Sequence, residues 1–326
     1  MNSKGLLRSG AISTLVPQRV AVVVIGSCMI DLSCYAPQLP CPGETLIGHK
    51  FVQGNGGKGA NQCVSATRLG ASTALIARLG DDLFCEGYLE SLAEDGVNID
   101  HVKITQGCSS GMAQITVADN GENHIVIIPG ANAKLTTADV LEAKHILDTA
   151  EVLVFQLETP IETTVEIMKM YHGKVKCIVN GAPAHPKPNS GLYTHCDVFC
   201  VNESEAEVMS GVPVRSESDA GKAIAKFLEK GCHTVIITMG PKGAVFASKD
   251  SPTPVHVPAK EVKPIDTTGA GDAFIGALAF FMAYHHELDM EEMIRRSCLI
   301  ASASVLKPGT QNSFPHRADL PVELFV

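Results

Sequence analysis

The sequence predicts an α/β fold, with a mostly parallel sheet, helices on both of its faces, and a small separate β-sheet standing off as a lid. Three observations predict it. Short continuous apolar runs alternate with helix-period segments; two stretches rich in Gly, Pro and polar residues break that alternation; and small residues dominate the C-terminal third. At roughly 150 residues per domain, a chain of 326 could hold two domains. The pattern favours one large domain over 20–326, with lid insertions at about 32–54 and 104–130.

Each element follows in order. Residues 1–19 carry Lys4, Arg8 and Arg19 with three serines and no acidic residue. They read as a disordered extension or a targeting segment. Val20–Ile25 is the first buried strand and ends at Gly26-Ser27-Cys28; Ala74–Leu79, Val152–Phe155, Lys176–Val179, Val198–Val201 and Val235–Thr238 repeat its character. The clearest helix carries Ala220, Ala223, Ile224, Phe227 and Leu228 on one face and stops at Gly231. In the second insertion, Ala113–Ala118 and His124–Ile128 flank the turn signal Asp119-Asn120-Gly121, which predicts a hairpin. A lid of this kind leaves apolar surface that a second copy of the chain can bury, so a homodimer through the lid is expected. Gly271–Ala283 and Ser297–Ser304 predict two closely packed helices, the second ended by Pro308-Gly309.

Composition excludes several function classes. A net charge of −9 with 45% hydrophobic residues disfavours disorder and a broad basic surface for nucleic acid. The longest apolar run is far short of the roughly 20 residues of a membrane span. Eleven cysteines without a C-x-x-C pair suit a reducing compartment, the cytoplasm, with mostly buried thiols. His195, Cys196 and Cys200 lack a second ligand pair at zinc spacing and are read as flanking a strand.

Two glycine clusters could carry chemistry. Gly54-Asn55-Gly56-Gly57-Lys58-Gly59 satisfies the dinucleotide pattern G-x-G-x-x-G, but His49–Gln53 is not the buried strand that should precede it, and Ala60-Asn61 stands where a P-loop needs Lys-Ser/Thr. Asp266-Thr267-Thr268-Gly269-Ala270-Gly271-Asp272 runs into an apolar helix. Glycines at a helix start expose backbone N–H groups to an anion with the helix dipole behind them. Asp272 beside them reads either as a general base for a hydroxyl attacking phosphorus or as a favourable acid in the helix's first turn.

These strings resemble the two signatures of the ribokinase/PfkB carbohydrate kinase family, in order and spacing. Gly26-Ser27 with Asp31, Pro42-Gly43-Glu44-Thr45, Asn202-Glu203-Ser204-Glu205 and Thr238-Met239-Gly240-Pro241-Lys242-Gly243 resemble further family motifs, so the likeness covers about 20–320. It implies a ribokinase-like three-layer sandwich and ATP-dependent phosphorylation of a sugar. Gly56-Gly57-Lys58-Gly59-Ala60-Asn61 points within the family to D-ribose and its O5. Asp272 then matches the base, and Gly269, Ala270 and Gly271 the anion hole. Met29, Asp31, Gly57, Lys58, Gly59, Ala60, Asn61 and Glu158 match the sugar site, although Met29 replaces an Asn of bacterial members. Asn202, Thr238 to Gly243, Gly271, Asp272 and Cys298 match the ATP site, with a thiol at 298 as a second departure. Glu205 matches the Mg²⁺ side, through water; Asp266, Thr268, Ser304, Lys307, Gly309 and Ser313 match a K⁺ site. From the residues alone, Glu158 also reads as a first-turn acid and Asn202 with Glu205 as a capping box. The competing functions are a sister specificity (deoxyribose, fructose or a nucleoside), a non-catalytic sugar- or nucleotide-binding protein, and a nicotinamide dehydrogenase using Gly54–Gly59.

Overall fold

The computed structural model describes residues 19–326, so the reading of the N-terminal extension lies outside them except at Arg19. In chain order the strands and helices are β1 (Val22–Ile25), β2 (Met29–Ala36), β3 (Lys50–Gly56), α1 (Lys58–Arg68), β4 (Thr73–Gly80), α2 (Cys85–Glu94), β5 (Val102–Thr105), β6 (Gly111–Ala118) and β7 (Asn123–Ile128). There follow α3 (Thr137–Glu142), α4 (Lys144–Leu147), β8 (Val152–Phe155), α5 (Ile161–Tyr171), β9 (Lys176–Asn180), α6 (Gly191–Thr194), β10 (Val198–Asn202), α7 (Glu203–Ser210) and α8 (Glu217–Glu229). The chain closes with β11 (Thr234–Thr238), β12 (Ala244–Ser248), β13 (Val255–Val257), α9 (Ala270–Tyr284) and α10 (Met290–Ser304).

The large sheet has the order β13-β12-β11-β10-β9-β8-β1-β4-β5 and is parallel except at β12 and β13. Its inner strands are mostly apolar because both faces are covered. The pleat divides each strand between two cores. Val22 and Val24 join α1, α2, α9 and α10 in one, whereas Val23 and Ile25 join residues of α3 and α5 to α8 in the other. All six apolar runs of the sequence are strands of this sheet, and the helix read from Ala220 to Leu228 is α8, whose chain turns at Gly231 with φ 114°.

The small sheet has the order β3-β2-β6-β7. It grows directly out of the large one, since only three residues separate β1 from β2. Asn132 pins this hinge, accepting the Cys28 N–H at 2.9 Å and donating to the Cys28 carbonyl at 2.8 Å. The hairpin β6–β7 turns at Asp119-Asn120-Gly121. The second β-like region divides between the sheets, because Val102–Thr105 pairs with β4 at the edge of the large sheet. The C-terminal helix stops at Ser304, ahead of Pro308.

Close packing of small residues brings α9 against α1, and Gly276 is its tightest point. A Cβ there would lie 2.5 Å from Ser65 Cβ and 2.6 Å from the Gln62 carbonyl oxygen. Gly→Ala in an exposed helix interior stabilises by about 1 kcal/mol; at Gly276 overpacking reverses the sign. Gly276→Ala is expected to destabilise by about 1–3 kcal/mol in urea unfolding, and a gain in stability would refute the close α1–α9 contact.

Candidate active site

Strand order reverses direction around β1, where β4 lies on one side and β8 on the other. Open α/β sheets bind ligands in the crevice at such a point, beyond the carboxyl ends of the strands. Ser27 follows β1, Gln156 and Glu158 follow β8, Asn180 ends β9, Asn202 ends β10 and Thr238 ends β11. The predicted residues are thus gathered along one edge, with β2 and β3 of the small sheet beside them.

The first glycine run serves close approach. Gly57, at φ 90°, precedes α1, and a Cβ on Gly59 would lie 2.4 Å from the Ser27 nitrogen. Only glycine lets the start of α1 press against the chain leaving β1. Glu158 lies ahead of α5, which starts at Ile161, and its Oε2 accepts the Lys58 N–H at 2.9 Å and the Ser27 hydroxyl. It therefore caps α1 from across the sheet and is not a first-turn acid of its own helix. The strand before the glycines, β3, is an exposed member of the small sheet, which removes the buried βα turn that a dinucleotide site requires.

Asp272 is the centre of the crevice. Gly269 is the N-cap of α9 in left-handed conformation, and Asp272 lies in the first turn, 7% exposed. Its carboxylate does not cap the helix. Asn61 Nδ2 donates to Oδ2 and Gln62 Nε2 to Oδ1, each at 2.9 Å. A Cβ built on Gly271 meets nothing within 4 Å, so space is open beside the start of α9, where the Ala270 N–H is held by the Thr267 carbonyl at 3.2 Å.

Charge in the crevice is uneven. Burial works against the Lys58 ammonium, but Asp272, Glu158, Glu205 and Asp31 together outweigh it and raise its pKa. Burial, with Glu158 and Asp272 nearby, pushes the Asp31 carboxyl up to about 6 against the opposing pull of Lys58. Glu205 is raised as well, mainly by burial, although the Asn202 N–H and Lys58 oppose it. Asn202 and Glu205 form a complete capping box on α7, at 2.8 and 2.9 Å. That leaves Glu205 Oε1 without a donor among the described residues.

The Thr238–Gly243 segment makes a tight turn into β12, closed by the Met239 N–H on the Gly243 carbonyl at 2.7 Å. Gly240, Pro241 and Lys242 are exposed, while the Met239 side chain is buried in the core and offers a ligand only its backbone. Asp266 accepts the Thr268 and Gly309 N–H groups, both at 2.9 Å. Burial opposes ionisation there, but these N–H groups prevail and hold its carboxyl below the usual range. Ser304 and Ser313 turn their hydroxyls onto the carbonyls of Ala301 and Thr310, and Lys307 is exposed. The 266–268 turn and the 304–313 loop are therefore brought together beneath the start of α9. Met29 is 3% exposed at the start of β2, two residues from Asp31 and so on the same face of the strand. Cys298 is 6% exposed within the core, where burial pushes its thiol up to about 12. His195 and Cys196 precede β10 and Cys200 lies within it, and no metal-ligating cluster of His, Cys, Asp or Glu is found among the described residues.

Three glutamines at the site escaped the sequence reading. Gln62 follows Asn61 on α1, Gln156 follows the last residue of β8, and Gln311 lies inside the 309–313 loop, where its Nε2 donates to Asn61 Oδ1 at 3.0 Å. The available signal was position alone, a polar residue directly after a buried strand or a recognised string.

Comparison with known proteins matches this geometry. The chain is 44% identical to the ribokinase of Mus musculus over 94% of its length and 96% of that protein's. It is 38% identical to the deoxyribokinase of Salmonella typhi, covering 90% and 95% of the two chains. The structure of Arabidopsis thaliana ribokinase complexed with ribose and ATP superposes with a TM-score of 0.85 at 28% identity, over 93% of this chain and 98% of that one. Residues 20–317 match the profile of the pfkB family carbohydrate kinases, and the protein belongs to that family.

Proposed function

We propose that this protein transfers the γ-phosphoryl group of ATP to O5 of D-ribose, giving D-ribose 5-phosphate and ADP. The observation that carries this reading is the buried Asp272 carboxylate, held by two amides at the open first turn of α9. Asp272 takes the proton of the 5-hydroxyl as its oxygen attacks phosphorus and the bond to the ADP oxygen breaks. The backbone N–H groups of Gly269, Ala270 and Gly271 hold the transferring oxygens in front of the helix dipole. Positioning and charge stabilisation are most of what phosphoryl transfer asks of a protein.

Asp31, Asn61 and Glu158 pair the sugar hydroxyls, with the backbone of Gly57, Lys58, Gly59 and Ala60 beneath them. Met29, buried and apolar, supplies no hydrogen bond there. That absence, with the likeness to a deoxyribokinase, makes 2-deoxyribose the second substrate to test. ATP lies along Thr238, Gly240, Pro241, Lys242 and Gly243, with Asn202 on its phosphates and Cys298 beneath its base. The free oxygen of Glu205 fits Mg²⁺ held through water, and Mg²⁺ would neutralise charge on the phosphates. The carboxylate of Asp266, kept ionised, and the oxygens around Thr268, Ser304, Lys307, Gly309 and Ser313 fit K⁺. The small sheet forms the homodimer contact, because its edge strand β7 exposes Ile125, Val126, Ile127 and Ile128 together. The cysteine pattern suits the cytoplasm.

Coupled ADP release with ribose, 2-deoxyribose, fructose and adenosine, with and without K⁺, tests the assignment; the highest kcat/KM is expected for ribose, and preference for adenosine would refute it. Asp272→Asn is expected to lower kcat by about 10²- to 10⁴-fold with ATP affinity nearly unchanged, and normal turnover would remove it as base. Asp31 supplies a pH signature. Hydroxyls donate to its ionised form, and with a pKa near 6 the free protein loses that form as pH falls through 6. KM for the sugar should therefore rise below pH 6 while kcat changes less, and Asp31→Asn should flatten that dependence. A KM independent of pH between 5 and 7 in the unaltered protein would exclude Asp31 from the sugar site.

A further inference from the structure

We infer that Gln62, Gln156 and Gln311 are positioning residues that lock Asp272 between two amide arms of fixed polarity, an inference that rests on the reading of Asp272 as the base. One arm runs from Asp272 Oδ1 to Gln62 Nε2 at 2.9 Å, and from Gln62 Oε1 to Gln156 Nε2 at 2.8 Å. The other runs from Oδ2 to Asn61 Nδ2 at 2.9 Å, and from Asn61 Oδ1 to Gln311 Nε2 at 3.0 Å. Asp272, Asn61, Gln62, Gln156 and Gln311 are all buried.

The polarity of both arms is set at Asp272. An ionised carboxylate only accepts, so each adjoining amide must turn its NH₂ inward and its carbonyl outward. The outer glutamines then have to donate as well. Gln62 is fixed further by sharing its NH₂ with Asn180 Oδ1 at 3.2 Å. Gln156 shows the cost of the arrangement, because its Oε1 is buried with no hydrogen-bond partner. Native proteins leave few such groups, and each calls for an explanation. Flipping the Gln156 amide would set its oxygen against Gln62 Oε1, and flipping Gln62 in turn would set a carbonyl against the Asp272 carboxylate. Gly26 belongs to the same device, since a Cβ there would lie 2.1 Å from Gln156 Oε1. The arms occupy one side of each carboxylate oxygen and leave the remaining lone pairs for the attacking hydroxyl.

Gln156 touches Gln62 and not Asp272, so it acts only through its neighbour. This gives a test by double-mutant cycle, with kcat, KM for sugar and ATP, nucleotide binding and thermal unfolding measured for each variant. Gln62→Met is expected to lower kcat by roughly one to two orders of magnitude, the scale of a misplaced reacting group, with both KM values within about twofold. Gln156→Met should give a smaller loss, and the double variant should be no slower than Gln62→Met, because the outer residue has nothing left to hold. Gln156→Glu should be slower than Gln156→Met, since a carboxylate cannot donate and would draw the Gln62 NH₂ away from Asp272. Gln311→Met repeats the reading on the second arm, so misfolding of any one variant leaves the test intact. Multiplying losses in the double variant, kcat unchanged while melting falls, or Gln156→Glu no worse than Gln156→Met would each overturn the proposal. Failure of the base reading is separate: it would show as turnover retained by Asp272→Asn, whereas failure of the clamp alone leaves that variant inactive and the glutamine variants fast.

Discussion

Keeping a carboxylate buried at the start of α9 is the constraint on which the rest of the site depends. An unpaired buried charge is among the costliest features a fold can carry, and Asp272 has no cation within ion-pairing distance among the described residues. Its direct contacts are dipoles, the N-terminus of α9 behind it and the side-chain amides of Asn61 and Gln62 in front, with the Lys58 ammonium acting on it from further away. Those amides sit on consecutive residues of α1, so α1 must lie against α9 at one height and rotation. Gly276 permits that contact, and Gly57, Gly59 and Gly26 let α1 begin against the chain leaving β1. The glycine runs and the small-residue helices are therefore consequences of placing one carboxylate.

The same crevice explains how an acidic chain can accept anionic substrates. Asp31, Glu158, Glu205 and Asp272 all act on Lys58, and the global charge of −9 adds no attraction. What favours an anion is local: the start of α9, the Lys58 ammonium, and the exposed Lys242 on the turn from β11 into β12. In the proposed reading Asp31 and Glu158 serve the sugar side, where neutral hydroxyls donate to them without charge repulsion. Separation of the two kinds of group along one sheet edge allows a polyanion and a polyol to lie together.

Legibility in the sequence followed the strength of each physical signal. The six inner strands were readable because two-sided burial demands unbroken apolar runs. β5 and β13, the two edges of the large sheet, were not, since edge strands are partly exposed and short; Val102–Thr105 has no fully buried residue. Asp272 was readable through its glycines, but the partners of its carboxylate, Asn61 and Gln62 of α1, show only in the structure. Glu158 shows the converse, being a helix-capping acid for a helix 100 residues away in sequence. Gln62, Gln156 and Gln311 carry no period and no charge, and their meaning exists only in the direction of their amides. Cys298 matched a site position by spacing, yet spacing does not reveal packing, and its thiol is buried in the core.

The small sheet extends the argument from the site to assembly. Successive residues of a strand point to opposite faces, so on β7 Ile125 and Ile127 share one face and Val126 and Ile128 the other, and all four are exposed. Closing over a sugar can cover one of those faces. The outward face gains nothing from the substrate and would stay wet in a single chain, an apolar patch beside an unpaired strand edge that invites association. In the proposed homodimer a second copy of the same sheet would cover it with matching chemistry. A lid held on its outer face by a partner is also stiffer than a free hairpin, so the inner face, with Asp31 on β2, would meet the sugar in a nearly constant position. On that proposal, apolar residues on both faces of one short strand would link the number of subunits to the precision of the sugar site.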